Sequence, residues 1–358
     1  MEHPENSSEY AGLQVNSGVV QPPIVNPYLK RARRRELSVG EMVEGILKGD
    51  ITILSQAVTL IESVNPDHQA RAQEVINKCL PYSGNSIRVG ISGVPGAGKS
   101  TSIDEFGIHV LKEKGGRLAV LAIDPSSERT KGSILGDKTR MEKLAQHPDS
   151  FIRPSPSAGS LGGVARKTRE TIILCEAAGF DKIFVETVGV GQSETACHSM
   201  VDFFLLIQVA GTGDELQGIK RGIMEMADAI VITKADGDNQ LKAQQARNQY
   251  QSVINLFPAN DNGWKVPVTT CSVYDQPSII AISDLINRFA EETRANGSFH
   301  LQRNQQLVKS FYEWIDFSIK SRFYENKEVK QMIEKLLPQI QSGHITPYQA
   351  GHQILENH

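Results

Sequence analysis

The run Gly93-Val94-Pro95-Gly96-Ala97-Gly98-Lys99-Ser100 fits the phosphate-binding pattern G-x-x-x-x-G-K-[ST] at every fixed position. Glycines in such a loop let backbone N–H groups close around phosphate oxygens, and the following helix adds positive potential. Lys99 is expected to reach the β- and γ-phosphates, and the Ser100 hydroxyl to bind Mg²⁺. The residues predicted to line the phosphates are Gly93, Pro95, Gly96, Ala97, Gly98, Lys99, Ser100 and Thr101. An apolar strand before the loop and a helical stretch after it argue against a chance glycine-rich turn.

Three acidic residues are candidates to complete a magnesium site, because Mg²⁺ prefers oxygen ligands. Asp124 and Glu186 stand at or near the ends of predicted strands, where a doubly wound sheet places its ligands. Asp137 lies in the loop between them. Strand-end position favours a functional role for Asp124 and Glu186 over simple helix capping. For Asp137, a site residue and an exposed loop residue are equally consistent with the sequence.

The string Thr233-Lys234-Ala235-Asp236 follows another predicted strand and is similar to the guanine-reading [NT]-K-x-D element. An aspartate can accept two hydrogen bonds from guanine that adenine cannot supply. The stem of Lys234 would pack over the base, and Ser272 is the nearest residue of a following segment that could add contacts. So short a string also occurs by chance on surfaces, but its position after the expected strand favours the base-reading interpretation.

The stretch Glu186-Thr187-Val188-Gly189 stands where GTPases carry D-x-x-G. In that element the glycine N–H senses the γ-phosphate, and its loss releases the loop. Gln192 follows closely and could orient the attacking water, as a glutamine does in several GTPases. An exposed surface position for Gln192 is equally consistent with the sequence.

Short β-branched runs alternate with helical stretches, which predicts an α/β fold with a mostly parallel sheet flanked by helices. The predicted strands are Ile87–Ser92, Leu118–Asp124, Phe151–Arg153, Lys182–Thr187, Phe203–Val209, Ala229–Thr233 and Val266–Thr270. We expect a poorly ordered tail over residues 1–28, a helical module over 29–85, a P-loop domain over 86–297 and a helical extension over 298–358. Within that extension, Pro338 and Pro347 are expected to separate two helices.

Composition excludes several classes of protein. Thirty-eight basic and 41 acidic residues give a formal charge of −3, which argues against a general nucleic-acid binder. No apolar run approaches the roughly 20 residues of a membrane span. The four cysteines form no C-x-x-C pair, so reduced thiols are expected rather than a zinc cluster or a disulfide scaffold. The N-terminus has no apolar signal segment, and a cytoplasmic protein is expected.

Six motifs in order resemble one family, the MeaB/ArgK/MMAA-type P-loop GTPases. They are Gly93–Thr101, Ala122–Ser127, Gly132–Met141, Glu186–Glu194, Gly211–Ile223 and Thr233–Asp236. The resemblance runs from about Leu37 to Ile319 and implies a GTP-hydrolysing metallochaperone with Mg²⁺. Such a protein binds an adenosylcobalamin-dependent acyl-CoA mutase, chiefly methylmalonyl-CoA mutase, gates cofactor loading and protects the mutase from inactivation. No cobalamin site of its own is expected, because the D-x-H-x-x-G signature is missing from the sequence.

The resemblance also implies residue roles. Lys99 and Ser100 correspond to the P-loop pair, and Asp124, Asp137 and Glu186 to acidic positions around Mg²⁺ and the hydrolytic centre. The segment Gly211–Lys220 matches a further switch loop that responds to the partner. Its Lys220 corresponds to a lysine that approaches the nucleotide when the mutase docks, acting in the manner of an arginine finger. A homodimer built with the C-terminal helices is implied as well.

Two other functions compete with this interpretation. The first is an ATP-dependent kinase or transport ATPase, the older label for some family members, which conflicts with the guanine-type string at Thr233–Asp236. The second is a metal-insertion GTPase such as those that deliver nickel. The nine histidines are scattered and form no cluster at ligand spacing, which disfavours that function.

Overall fold

The computed structural model describes residues 36–114, 116–124, 140–156, 161–187, 193–210, 221–258 and 260–356, with backbone alone at 113, 114, 124, 155, 156 and 161. Four predicted site residues, Asp137, Gly189, Gln192 and Lys220, lie outside these ranges, as does the predicted tail. From Val39 onward the described residues form one compact unit. The domain boundaries proposed from the sequence stay a prediction.

A seven-stranded parallel sheet forms the centre of the described chain, which confirms the predicted fold class. The strands are β1 (Ile87–Gly93), β2 (Leu118–Asp124), β3 (Ser150–Pro156), β4 (Lys182–Thr187), β5 (Phe203–Val209), β6 (Ala229–Thr233) and β7 (Val268–Thr270). Their order across the sheet is β3-β2-β4-β1-β5-β6-β7. The central strands are buried on both faces and are therefore almost continuously apolar, as in β5.

Three strands differ from the sequence-based prediction at their ends, and β1 differs only by extending one residue further, to Gly93. β3 continues through Pro154 and Pro156, whereas the predicted strand ended at Arg153. Proline cannot donate to a strand ladder, but β3 is an edge strand paired only with β2, so its free side tolerates both prolines. At the other edge, β7 begins at Val268 and is shorter than the predicted Val266–Thr270.

Helices cover both faces of the sheet and extend beyond it. They are α1 (Val39–Leu47), α2 (Ile51–Glu62), α3 (Pro66–Cys79), α4 (Lys99–Lys114), α5 (Glu142–Gln146), α6 (Leu161–Ala177), α7 (Ser193–His198), α8 (Arg221–Glu225), α9 (Gln240–Ile254), α10 (Gln276–Ala295), α11 (Ser298–Glu325), α12 (Lys327–Gln341) and α13 (Pro347–Glu356). Pro338 lies inside α12, so the predicted break at this residue was wrong. A proline removes only its own N–H from the helical ladder, and its carbonyl can still accept, as the Pro338 carbonyl does from the Ser342 N–H at 3.0 Å. Among the described helices, none combines the length and apolar character needed to cross a bilayer.

Helices α1–α3 are attached to the sheet domain by charged side chains. Arg153 in the middle of β3 pairs with Glu62 at the end of α2, with Nε 3.0 Å from Oε1. On α6, Lys167 donates to the Glu62 carbonyl at 2.8 Å. Arg117 bridges the Gly49 and Ala178 carbonyls, at 2.8 and 2.6 Å. These bonds fix the N-terminal helices beside β3 and α6.

A second charged cluster holds α11 against the amino-terminal edge of the sheet. Arg303 of α11 contacts both Asp202 carboxylate oxygens at 2.7 Å and donates to the Ser86 carbonyl at 2.7 Å. Asp202 also accepts from the Arg88 N–H at 2.8 Å. Arg88 in turn pairs with Glu176, whose side chain is fully buried. Every charge in the cluster has a partner, which is the condition for burying ions without a large penalty.

Candidate nucleotide site

The predicted site residues that the structure describes gather at the carboxyl edge of the sheet. The loop of residues 93–98 leaves the central strand β1, Glu186 stands near the end of its neighbour β4, and Thr233 ends β6. Asp124 ends β2, one strand beyond β4. Parallel strands place their carboxyl ends at one edge of the sheet. The strand order reverses at β1, with β2–β4 on one side and β5–β7 on the other, and such sheets bind ligands at this point.

The shape of the phosphate loop depends on its glycines. Gly93 has φ of +153°, and a Cβ there would lie 1.9 Å from the Ile207 carbonyl oxygen on β5. Gly96 and Gly98 have φ of +82° and +83°. Pro95 and Gly96 are exposed, Ala97 is buried, and Thr101 lies in the first turn of α4. The loop therefore presents its backbone to solvent in a conformation that β-carbons would prevent.

Lys99 folds back onto the phosphate loop. Its Nζ donates to the Gly93 carbonyl at 2.9 Å and to the Val94 carbonyl at 3.3 Å, and the residue is 8% exposed. Burial lowers the pKa of Lys99, while the carboxylates of Glu186 and Glu194 oppose that shift. Two nearby carboxylates thus favour the charged ammonium that a triphosphate requires.

A hydroxyl and a carboxylate meet beside this lysine. Ser100 Oγ donates to Glu186 Oε1 at 3.0 Å, and the Glu186 residue is buried. Both groups are oxygen ligands of the kind that Mg²⁺ selects, and their proximity fits a shared cation next to the phosphate loop. The backbone of Asp124 reaches the same edge of the sheet, but its side chain is outside what the structure describes. The described residues contain no group of three or more His, Cys, Asp or Glu arranged to hold a metal.

Thr233 connects the base-reading string to the phosphate loop. Its Oγ1 lies 2.7 Å from the Ala97 carbonyl and 2.9 Å from the Gln208 carbonyl, and the residue is buried. One hydroxyl hydrogen is thus shared between the loop after β1 and strand β5. The sequence places Thr233 only in the base-reading string. In the structure, this hydroxyl also supports the phosphate loop through its hydrogen bond to the Ala97 carbonyl.

The structure places the other predicted base-reading residues, Lys234, Asp236 and Ser272, close together. Ser272 Oγ donates to Asp236 Oδ2 at 2.5 Å, and the Ala235 N–H donates to the Cys271 carbonyl at 3.2 Å. Lys234 is exposed and has φ of +56°, uncommon for a residue with a β-carbon. Asn239 supports this turn by donating to the Lys234 carbonyl at 2.8 Å. The half-buried Asp236 is therefore fixed beside an exposed lysine, the arrangement expected for reading a purine edge.

One acidic residue of this site was missed by sequence reasoning. Glu194 on α7 is 1% exposed and lies close enough to Lys99 to favour its charged form. The signal was available, since Glu194 closes the motif Glu186–Glu194, but only Glu186, Gly189 and Gln192 in that stretch had received roles. Burial is what distinguishes Glu194, and burial is not readable from so short a string.

Comparison with known proteins identifies relatives along most of the chain. Residues 54–328 match the family model described as methylmalonyl Co-A mutase-associated GTPase MeaB. A probable GTPase of Mycobacterium tuberculosis is 46% identical over 89% of this chain and 95% of its own length. GTPase ArgK of Escherichia coli is 41% identical over 90% of this chain and 97% of its own length.

A solved structure agrees in fold and in sequence. The crystal structure described as an LAO/AO transport system kinase superposes with a TM-score of 0.71 at 36% identity. The match covers 90% of this chain and 98% of that one. The similarity therefore includes helices on both sides of the parallel sheet as well as the sheet itself.

Proposed function

This chain belongs to the MeaB family of methylmalonyl-CoA mutase-associated GTPases, and we propose that its GTP hydrolysis controls an adenosylcobalamin-dependent acyl-CoA mutase. Methylmalonyl-CoA mutase is the partner that the family description favours. In this proposal the GTPase gates loading of the cofactor into the mutase and protects the mutase from inactivation. The observation that carries the proposal is the family match over residues 54–328, together with the joined phosphate and base-reading loops.

We assign triphosphate binding to the loop after β1. Backbone N–H groups of residues 93–98 would surround the phosphates, and Lys99 would exchange its two carbonyl acceptors for phosphate oxygens. Ser100 and Glu186 would hold Mg²⁺, with Asp124 and Asp137 as the further acidic candidates. Bound there, the ion would neutralise charge on the β- and γ-phosphates.

We assign guanine selection to Asp236, supported by Ser272 and covered by the stem of Lys234. The bond from Ser272 to Asp236 supports this assignment, because it orients the carboxylate without using both of its oxygens. A guanine edge would then supply the missing donors. Adenine would leave the carboxylate facing its ring nitrogen acceptors, so GTP is the expected substrate over ATP.

Four assignments rest on the family resemblance, because their residues lie outside the described ranges. Gly189 would sense the γ-phosphate, Gln192 would orient water, and Asp137 would serve the hydrolytic centre. Lys220 would enter the site when the mutase docks. Replacing Lys220 by alanine is expected to leave basal hydrolysis nearly unchanged and to reduce the acceleration by mutase. A large loss of the basal rate would instead place Lys220 in the resting site.

We also propose a homodimer formed through α11. Leu307, Phe311 and Trp314 follow helical spacing on this helix and are 67%, 57% and 45% exposed. Apolar side chains at this spacing and exposure are typical of a helix awaiting a partner. The variant Phe311→Glu should shift the mass measured by light scattering from dimer to monomer. Leu256→Glu, at a more exposed position elsewhere, is the control and should leave the mass unchanged.

The test of the whole proposal is a hydrolysis assay with GTP and ATP, each with and without the methylmalonyl-CoA mutase of the same organism. We expect GTP selectivity, a basal rate on the order of 10⁻⁴ to 10⁻² s⁻¹ and a marked acceleration by the mutase. Lys99→Ala provides the inactive control. Selective but unresponsive hydrolysis would remove the assignment to this mutase. Equal use of ATP would remove the assignment to guanine and favour the kinase or transport ATPase alternative.

A further inference from the structure

Glu194 is a buried carboxylate in the nucleotide site, and one of its oxygens has no hydrogen-bond partner among the residues that the structure describes. The residue is 1% exposed, and this oxygen is Oε1. The second oxygen has only a weak neighbour, with Ser193 Oγ 3.4 Å from Oε2. A buried carboxylate oxygen without a donor is costly, and native proteins retain few of them. Such an oxygen suits a donor that arrives with a ligand.

The surroundings of Glu194 restrict what that donor can be. Lys99 is close enough for the Glu194 charge to raise its pKa, yet its ammonium donates to the Gly93 and Val94 carbonyls. Once a triphosphate is bound, Lys99 would be committed to phosphate oxygens. Phosphate oxygens carry no proton to donate at neutral pH. Of the groups that GTP hydrolysis brings into the site, water is the one that can donate to Oε1.

Resting on the proposed function, we propose that Glu194 Oε1 accepts a hydrogen bond from the water that attacks the γ-phosphate of GTP. The water oxygen forms a bond to the γ-phosphorus while the bond to the β–γ bridging oxygen breaks, and GDP leaves with that electron pair. Both water protons end on the phosphate product, H₂PO₄⁻, which then ionises according to pH. Glu194 orients the water and holds no additional proton at the end of the step.

The position of Glu194 fits this role. It lies on α7, which begins at Ser193 and packs beside β4, the strand that carries Glu186. Glu186 already accepts a hydrogen bond from Ser100 and is assigned to the cation. The two carboxylates therefore have separate roles, Glu186 towards the cation and Glu194 towards the water. A misplacement of a reacting group by about 1 Å can lower a rate by about 10²-fold. A neutral glutamine retains a weaker acceptor, so a smaller loss is expected for Glu194→Gln.

The experiment compares wild type, Glu194→Gln and Glu194→Asp in single-turnover GTP hydrolysis with enzyme in excess. Affinity for a fluorescent GDP analogue is measured in parallel. We expect Glu194→Gln to lower the rate at saturation about 10–100-fold while the Kd for GDP stays within about threefold. Glu194→Asp keeps the charge beside Lys99 but withdraws the oxygen by one methylene, and it should lower the rate similarly.

Glu170→Gln is the matched control, because Glu170 is also a largely buried carboxylate but lies on α6 bonded to Gln73. Glu170→Gln should change neither the single-turnover rate nor the Kd for GDP. Thermal melting verifies that every variant is folded. Weaker GDP binding with an unchanged rate would show that Glu194 merely supports Lys99, which would overturn the inference. An unchanged or raised rate in Glu194→Gln would overturn it as well. If wild type fails to hydrolyse GTP, the proposed function itself falls.

Discussion

Asp228 should make the stability of the protein depend on pH in the physiological range. This residue lies just before β6, where its Oδ2 accepts from the Phe204 N–H at 2.8 Å and its carbonyl accepts from Trp264 Nε1 at 2.8 Å. Burial raises the pKa of Asp228 to about 7, the Phe204 N–H opposes the shift, and the neighbouring Asp202 charge adds to it. Asp202 is paired with Arg303, with Nε 2.7 Å from Oδ1.

The sign and size of the effect follow from proton linkage. Between the unfolded pKa near 4 and the folded pKa, the folded state keeps a proton that the unfolded state has released. The free energy of unfolding therefore falls as pH rises through this window and levels off above it. Three pKa units at about 1.4 kcal/mol each give roughly 4 kcal/mol in full, of which about 2–3 kcal/mol falls between pH 5 and 8. Part of the residue is solvent-exposed, so these figures are upper bounds.

The substitution Asp228→Asn removes the charge and keeps an oxygen that can accept from Phe204. Its stability relative to wild type should rise by up to about 2–3 kcal/mol from pH 5 to pH 8. Urea denaturation of nucleotide-free protein at each pH measures this difference, since bound GDP would add its own stabilisation. Asp284→Asn, on the exposed side of α10, is the control, and its free energy of unfolding should change with pH in parallel with that of wild type. Parallel curves for Asp228→Asn would show that the carboxyl is not held neutral.

Four further variants test the site and its supports. Lys99→Ala should abolish tight GTP binding in a fluorescent-nucleotide titration; retained hydrolysis would reject its phosphate role. Asp236→Asn should shift the preference in competition assays from guanine towards xanthine nucleotides, and an unchanged preference would show that this carboxylate does not read the base. Thr233→Val, which keeps shape but loses the bond to Ala97, should weaken GDP binding about 5–10-fold, equivalent to roughly 1 kcal/mol. Arg303→Ala should lower the free energy of unfolding by about 3–5 kcal/mol in urea, because it leaves Asp202 buried and unpaired; a change below 1 kcal/mol would contradict this.

The sheet and the phosphate loop were predictable because local sequence determines them. Continuous apolar runs such as Phe203–Val209 identify buried parallel strands, and the glycine and lysine spacing after β1 identifies the loop. The errors arose where position within the fold overrides a local rule. Pro154 would end most strands, yet an edge strand has a free side on which a missing N–H costs nothing. Edge position is a property of the whole sheet.

The base-reading loops show how far spacing alone can reach. The string ending at Asp236 and the segment around Ser272 could each be located, but their direct bond could not, because 36 residues separate the two side chains. The hydrogen bond from Thr233 to the Ala97 carbonyl joins residues 136 positions apart, and it could not be predicted from the sequence either. Contacts of this separation depend on strand order, and β6 reaches the phosphate loop because β5 alone stands between it and β1.

Helix α7 and the turn after it connect the nucleotide site to α11. Helix α7 carries Glu194, and the turn after it is bound from α11, where Gln306 donates to the Val201 carbonyl at 2.7 Å. Arg169 of α6 completes this connection, since its guanidinium contacts both Ser199, at 2.6 Å, and Glu313 of α11, at 2.9 Å. These bonds are neutral amides or paired charges over short distances, so they hold the turn rigidly to α11. A displacement of α7 on GTP binding would therefore have to strain or break them, so these bonds couple α11 to the position of α7.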